Sequence, residues 1–176
     1  MIRGVLVSAL LVSAFSQVAP GPPRPDTSVD LQQYAGTYYE IARIPNHLQS
    51  LCARDVTTTY TVRPDGHLDV LNRCRKEDGT TIQVHGVGRA GGDARLVQVR
   101  FGAPWRSLGR RTWEDYSVLA VGPGYSYAVI GNRARTCLWI LSRLPRMSPL
   151  AYRQALEITR TNGYDVERLI QTPQGE

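Results

Sequence analysis

Residues 36–43 read Gly-Thr-Tyr-Tyr-Glu-Ile-Ala-Arg, and the composition of residues 38–42 predicts a first β-strand. Similar segments rich in Val, Thr, Tyr and other apolar residues recur up to residue 143, separated by turn signals such as Pro64-Asp65-Gly66. The further strands are predicted over residues 55–62, 68–74, 82–90, 96–101, 116–121, 125–130 and 136–143. Eight short strands separated by turns are typical of an antiparallel sandwich or barrel.

A single helix is predicted after the last strand. Ser148 is a favourable N-cap, Pro149 suits the first helical position, and Gly163 is a natural residue at which a helix stops. Residues 166–170 would form a short ninth strand or an extended tail. Doubly wound α/β folds need helices between their strands, so this order excludes them and favours an all-β fold with one late helix.

The 176 residues are enough for one domain, and a content of 42% hydrophobic and 20% charged residues excludes a disordered chain. Residues 1–16 combine a positive start with a short apolar run and are predicted to be a signal peptide; an uncleaved, buried N-terminal element is the alternative. The proline-rich residues 17–28 would be a leader, residues 29–172 the domain, and residues 173–176 a tail. No cysteine directly follows the apolar run. We therefore expect a periplasmic or secreted protein that is soluble after cleavage and not lipid-anchored.

Three motifs in order resemble the signatures of the lipocalin family. Residues 36–43 are similar to the first signature, Gly-x-Trp followed by Tyr-Glu. Residues 114–116, Glu-Asp-Tyr, resemble the second, and residues 138–143, Leu-Trp-Ile-Leu-Ser-Arg, resemble the third. The likeness is greatest to the bacterial outer-membrane lipocalins and to apolipoprotein D. It implies an eight-stranded antiparallel up-and-down barrel with one C-terminal α-helix, and a ligand-binding interior called the calyx.

The first signature departs from the family at one position. Tyr38 stands where the family has a tryptophan, whose ring closes the floor of the barrel beneath the arginine that ends the third signature. The resemblance therefore gives Tyr38 and Arg143 a structural role at the floor. A tyrosine ring accepts a guanidinium over its face, although less strongly than a tryptophan ring does.

Strand alternation predicts which side chains face the interior. If Tyr38 faces inward at the floor, Ala42 on the same strand faces inward too. On the eighth strand, Arg143 faces inward at the floor, so residues 141, 139 and 137 are predicted to face the interior as well. Ala120 is placed inward on the sixth strand. The residues predicted to bind ligand are Val56, Thr58, Tyr60, Asn72, Phe101, Tyr116, Val118, Trp139 and Leu141. A barrel filled by its own side chains, without a cavity, is the alternative.

Three cysteines in an exported chain are expected to form one disulfide and leave one thiol free. Cys52 and Cys74 flank the hairpin that turns at residues 64–66. Simple hairpin register places Cys52 about four residues away from the position opposite Cys74. The Cys52–Cys74 pair is still favoured, because Cys137 lies on the interior line near the opposite wall. Three free thiols are the alternative.

No arrangement of residues indicates catalysis or a cofactor. His47, His67 and His85 lie on different predicted elements without the spacing of metal ligands, and the sequence has neither a nucleophile elbow nor a phosphate-binding glycine loop. The arginines are spread along the whole chain, so the formal net charge of +6 does not mark a nucleic-acid interface. We expect no enzyme activity, no cofactor, no metal site and no nucleic-acid partner.

The sequence thus predicts a carrier of a small hydrophobic or amphipathic ligand. By resemblance to the bacterial members, that ligand is a fatty acid or a lysophospholipid. Two other functions remain open: an enzyme on the same barrel that acts on a lipid or an isoprenoid, and a surface interaction module with a filled barrel. The oligomeric state, monomer or dimer, also remains open.

Charge is predicted to differ between the two ends of the barrel. Strands alternate in direction from the floor, so the connections after the first, third, fifth and seventh strands lie at the mouth. These connections carry Arg54, Arg75, Lys76, Arg106, Arg110, Arg111, Arg133 and Arg135, with Trp105, Leu108 and Trp113 among them, whereas the floor turns carry Asp65 and Asp93. A basic mouth suits contact with an anionic membrane. A solvated basic rim without a partner is the alternative.

Overall fold

A computed structural model of the protein describes residues 29–90, 96–101 and 113–175. The predicted signal peptide and leader lie outside these ranges, as do Asp93 and the segment 102–112 with its predicted mouth residues.

The eight predicted strands all form, followed by the predicted helix and a short ninth strand. A short helix, α1, precedes them. The elements in chain order are α1 (Leu31–Tyr34), β1 (Gly36–Arg43), β2 (Arg54–Val62), β3 (Leu68–Arg75), β4 (Thr81–Ala90), β5 (Leu96–Phe101), β6 (Glu114–Val121), β7 (Tyr127–Asn132), β8 (Leu138–Ser142), α2 (Pro149–Thr161) and β9 (Ile170–Gln171).

The strands close into an antiparallel up-and-down barrel. Each strand from β2 to β8 pairs with the next one in sequence, and β1 pairs with β8 on one side and with β2 on the other. The short β9 adds to the outside of this arrangement by pairing with β1 at Ala42 and Arg43. The fold class predicted from the sequence is therefore confirmed, with one strand more than the eight of the barrel.

Turn chemistry fixes the register of the hairpins next to the site. Asp65 accepts a hydrogen bond from the backbone N–H of His67 at 3.1 Å, and Gly66 adopts φ +80°. In the next turn Asp78 accepts from the N–H of Thr80 at 2.9 Å, and Gly79 adopts φ +81°. These are the Asx and glycine geometries expected of tight turns, and they align β2, β3 and β4.

Two hydrophobic clusters divide the buried side chains. One lies inside the barrel and extends from Tyr34 to Ile130 and Leu141. The other lies between the outer faces of β1, β7 and β8 and the helix α2, and it contains Val129, Ile140 and Ala155. Ser148 caps α2 as predicted, since its hydroxyl accepts from the N–H of Ala151 at 3.2 Å.

Two β-bulges reverse the inward face that alternation predicts. The register shifts between Glu40 and Ala42 on β1, and between Val118 and Ala120 on β6. Ala42 is consequently fully buried in the outer cluster and not in the interior. Ala120 pairs with Val129, an outer-cluster residue, while Val121 packs against the inner cluster. The inward placements of Ala42 and Ala120 are therefore wrong, because a bulge inserts one residue into the alternation.

The ends of two strands also differ from the sequence expectation. Residues Pro123–Tyr125 form a 3-10 turn, so β7 begins two residues later than predicted. The strand β8 begins at Leu138 and not at residue 136, because the side chain of Asn132 accepts hydrogen bonds from the N–H groups of Thr136 and Cys137. Residues 166–168 form another 3-10 turn before β9.

The floor of the barrel is closed by Arg143. Its guanidinium lies 3.8 Å from the centre of the Tyr38 ring. One terminal nitrogen, Nη2, donates to the backbone oxygens at the end of α1, at Gln33, Tyr34 and Ala35, over distances of 2.9, 3.2 and 2.7 Å. The last carbonyl groups of a helix have no hydrogen-bond partners within the helix. Arg143 donates hydrogen bonds to these carbonyl groups of α1, and at the same time it covers the Tyr38 ring.

Gly36 is required by this arrangement. It adopts φ +106°, a backbone conformation that side chains with a Cβ rarely adopt. A Cβ added there would lie 2.8 Å from Nη1 of Arg143. The glycine of the first signature therefore leaves the space that the arginine of the third signature occupies.

We expect the substitution Arg143→Lys to lower the free energy of unfolding by about 2 kcal/mol, since an ammonium group replaces neither the stacking nor the forked donor set. Denaturant unfolding measures this loss. Arg133→Lys is the matched control, because Arg133 is exposed and the change should stay within about 0.5 kcal/mol. Equal losses in the two variants would show that the floor contact contributes nothing specific.

Candidate ligand cavity

A cavity occupies the interior of the barrel between the floor and the loop that connects β1 to β2. The space that is not filled by atoms measures about 940 Å³, including the part open to solvent. The alternative of a filled barrel is therefore not the one observed.

All nine residues predicted to bind ligand line this cavity. They lie on the inward faces of β2, β3, β5, β6 and β8: Val56, Thr58, Tyr60, Asn72, Phe101, Tyr116, Val118, Trp139 and Leu141. Strand alternation brings them together: the register shift of β2 lies at the start of that strand, between Arg54 and Thr57, and the one in β6 follows Val118. Their contact with a ligand remains a prediction.

Several lining residues were missed by sequence reasoning. Ile82 and Val84 on β4 alternate inward in register with β3, a signal that period-two alternation would have supplied. Leu48, Gln49 and Tyr34 carry no such signal, because they come from a loop and from the four-residue helix α1.

The loop between β1 and β2 is fastened to the barrel by the disulfide between Cys52 and Cys74, whose Cα atoms are 5.5 Å apart. The backbone N–H of Ala53 donates to the carbonyl of Arg75 at 2.8 Å, which carries the loop back over the rim. The loop thereby brings Cys52 next to Cys74, although simple hairpin register places the two cysteines about four residues apart. The pair is the one favoured from the sequence, and Cys137 is free.

A buried carboxylate organises the wall beneath this loop. Glu40 is 1% exposed and accepts from Nη1 of Arg43 at 2.6 Å, from Nε2 of Gln49 at 2.6 Å and from the hydroxyl of Thr172. Nη2 of Arg43 donates in turn to the carbonyl of Cys52 at 3.0 Å. The charges of the acid and the base are therefore paired inside the protein, and their hydrogen bonds are made to its own groups.

The C-terminal residues complete this network. Gln174 donates to the backbone oxygens of Glu40 and Val56 at 2.7 and 3.0 Å, and the N–H of Gly175 donates to the side chain of Asp55 at 2.6 Å. The direct pairing of β1 with β2 extends only from Gly36 to Tyr39 on the β1 side. Gln174 thus bridges the two strands beyond the point where their ladder ends.

Trp139 connects the cavity wall to the loop. Its indole Nε1–H donates to Oε1 of Gln49 at 2.6 Å, and its ring meets Tyr116 edge to face with centroids 5.4 Å apart. The hydroxyl of Tyr116 donates to Glu114 at 2.5 Å. Burial, together with this bond to a carboxylate, raises the pKa of Tyr116.

The deep end of the cavity is aromatic and uncharged. Tyr34, Tyr38 and Tyr60 pack with ring centroids 4.8 to 6.1 Å apart. Burial raises the pKa of Tyr38 and of Tyr60 to about 12, and it raises the pKa of Tyr34 as well. Phenols are protonated at neutral pH, so the rings of Tyr34 and Tyr60, which line the cavity, carry no charge.

The predicted mouth residues that the structure describes are partly neutralised. Asp55 pairs with both Arg54 and Arg75, with N–O distances of 3.9 and 3.2 Å, and Lys76 pairs with Asp78 at 3.1 Å. Arg135 extends to the carbonyl of Asn162 near the end of α2. The strongly basic part of the predicted mouth consists of residues 106–111, outside the described ranges.

Within residues 29–90, 96–101 and 113–175, no group of three or more His, Cys, Asp or Glu side chains is arranged to hold a metal ion. None of the described helices is long and apolar enough to span a membrane.

Comparison with known proteins identifies this architecture. The model of the lipocalin-like domain matches residues 29–174. The chain belongs to the lipocalin family. It is 34% identical over 170 residues to outer membrane lipoprotein Blc of Escherichia coli K12, covering 93% of this chain and 90% of that protein. Members of the family typically bind small hydrophobic molecules.

Other relatives and solved structures agree. Identity is 33% with temperature-induced lipocalin-1 of Arabidopsis thaliana (84% of this chain and 81% of that protein) and 26% with apolipoprotein D of Mus musculus (88% and 82%). Lobster apocrustacyanin A1 superimposes with a TM-score of 0.66 at 18% identity (82% and 79%). The cockroach allergen Per a 4 does so with a TM-score of 0.64 at 18% identity (85% and 90%). These two structures support the barrel fold alone.

The disulfide gives a direct test of how the loop is held. Cys52 and Cys74 are 22 positions apart, and closing a loop of that size is expected to stabilise the fold by roughly 3 kcal/mol. Denaturant unfolding with and without reductant measures the difference, with Cys137→Ser as the control that keeps the bridge. Non-reducing peptide mapping that finds Cys137 in the bridged peptide would contradict the assignment.

Proposed function

We propose that this lipocalin binds one fatty acid or lysophospholipid in its cavity and carries it between sites in the cell envelope or outside the cell. The observation that carries the proposal is a cavity with a mainly apolar wall, closed at one end by Arg143 over Tyr38. An aliphatic chain bound there would be removed from water, and this burial contributes about 25 cal/mol of favourable free energy per Å² of apolar surface. The polar end of the ligand would lie toward the loop that holds Gln49.

The polar groups of the wall support binding over catalysis. Glu40, the carboxylate that lines the cavity, already accepts three hydrogen bonds from protein groups, so it is poorly placed to act as a base. The described histidines do not line the cavity. We therefore propose a carrier and not an enzyme.

Binding should change the fluorescence of Trp139. A variant that retains only Trp139, with Trp105→Phe and Trp113→Phe, is expected to show a saturable change in emission at one equivalent of palmitate or lysophosphatidylcholine, because the half-buried ring lines the cavity. The variant Trp139→Phe, which keeps the other two tryptophans, is the control and should show a smaller change.

Recovery of the lipid after incubation separates the carrier from the enzyme. Mass spectrometry should find the ligand chemically unchanged at a stoichiometry of one. Saturable binding without any spectral change would contradict the position given to Trp139, and a chemically altered lipid would contradict the carrier function.

We also propose that the mouth contacts an anionic membrane while lipid enters or leaves. The support is the run Arg106, Arg110 and Arg111 in the sequence that connects β5 to β6, together with Leu51 in the loop between β1 and β2, which is 63% exposed. Each cation near an anionic surface contributes about 1 kcal/mol to binding.

Vesicle co-sedimentation tests this contact. Binding should increase with the fraction of anionic lipid, decrease with salt, and weaken when Arg106, Arg110 and Arg111 are changed together to Ser. The matched control changes Arg153, Arg160 and Arg168 to Ser, which removes the same charge from the α2 and β9 side of the barrel. Equal binding to neutral and anionic vesicles at low salt would rule out the proposed contact.

A further inference from the structure

One amide oxygen in the cavity wall has no hydrogen-bond partner among the residues that the structure describes. Asn72 lies on the inward face of β3 and lines the cavity. Its Oδ1 is buried and accepts no hydrogen bond from any residue that the structure describes. An unsatisfied buried polar group is unfavourable for folding, and such groups are few in native proteins. The presence of Asn72 at this position therefore calls for a partner that the described part of the chain does not supply.

A second neutral polar group lies directly opposite. Thr58 on β2 is the cross-strand partner of Asn72, and it also lines the cavity. Side chains in such a pair have Cβ atoms about 5 Å apart, so one oxygen atom of a ligand can reach both groups. The surrounding wall positions are apolar: Val56, Val70 and Val84. The pair thus forms a small hydrogen-bonding patch within an apolar wall.

The depth of this patch separates it from the loop network. Asn72 lies two residues below Cys74 on β3, about 7 Å along the strand toward the floor. Thr58 is also the cross-strand partner of Tyr38 on its other side. A ligand whose polar end lies at the loop would present the interior part of its chain to Asn72 and Thr58.

The electrostatics of the wall favour an uncharged group at this depth. Glu40 is paired with Arg43 at 2.6 Å, and Arg73, which follows Asn72 and also borders the cavity, is exposed to solvent. Burying a carboxylate beside Asn72 would cost more free energy than burying a neutral group, because a charge loses more hydration. A hydroxyl both donates and accepts, and it matches the amide and the threonine hydroxyl without a net charge.

We propose that Asn72 and Thr58 bind a hydroxyl group carried by the interior part of the ligand, so that the protein selects hydroxylated acyl chains over unsubstituted chains of the same length. This assignment rests on the proposed lipid-binding function and names the ligand class that the cavity prefers.

Stearic acid, 10-hydroxystearic acid and 12-hydroxystearic acid are the probes, since they differ only in one interior hydroxyl. The wild-type protein is expected to bind at least one hydroxystearate roughly threefold to tenfold more tightly than stearate, the effect of one net hydrogen bond. Asn72→Leu and Thr58→Val should each reduce this ratio toward one and retain stearate binding. Thr57→Val, at the neighbouring position on the outer face of β2, is the matched control and should retain the ratio.

A second measurement separates a ligand-binding amide from a structural one. Removal of an unpartnered amide should raise the midpoint of thermal unfolding of the ligand-free Asn72→Leu protein above that of the wild type. Equal affinity of the wild type for all three probes, or a ratio that persists in both cavity variants, would overturn the assignment and leave the carrier function intact. A failure of all three probes to bind would contradict the carrier function, and the assignment with it.

Discussion

The guanidinium of Arg143 joins three parts of the chain that are distant in sequence: the end of α1, the Tyr38 ring on β1, and the segment after β8. A barrel has two ends, and an apolar cavity needs at least one of them closed if its wall is to remain dry. Here the planar guanidinium of Arg143 closes the floor, because its face covers the Tyr38 ring while its N–H groups donate to the carbonyl groups of α1. Gly36 provides the space, so the first and third sequence signatures are two halves of one contact.

The opposite end is organised by a different kind of interaction. A buried carboxylate and guanidinium, Glu40 and Arg43, pair with each other and take their remaining hydrogen bonds from Gln49, Thr172 and the backbone of Cys52. Such a pair adds little net stability, but loss of one partner leaves an uncompensated charge. Its role is to specify position: it connects the C-terminal residues, the loop and β1, where the direct ladder between β1 and β2 has ended.

Alternation predicted the interior face of most strands, because a strand that is half buried cannot slip by one residue without exposing its apolar side chains. It failed at Ala42 and Ala120, where a bulge inserts a residue that leaves no signal in the sequence. The four-residue helix α1 and the loop residue Gln49 were also missed. Local caps by Asp30 and Asn46 start these segments, but tertiary hydrogen bonds, through Arg143 and through Glu40 and Trp139, place them against the cavity. The cavity wall was therefore predictable strand by strand, whereas its two ends were not.

The contrast between the two sets of polar groups in this barrel bears on how it selects a ligand. At the loop, Glu40, Arg43 and Gln49 have already found partners within the protein, so a ligand that bound them would first have to break those bonds. At mid-depth, the oxygen of Asn72 has no partner among the described residues, so a ligand gains a hydrogen bond there without breaking one. Specificity for polar groups arises where a wrong ligand leaves a buried group unpaired. On this reasoning the neutral patch in the middle of the wall discriminates between ligands more strongly than the charged network at its rim.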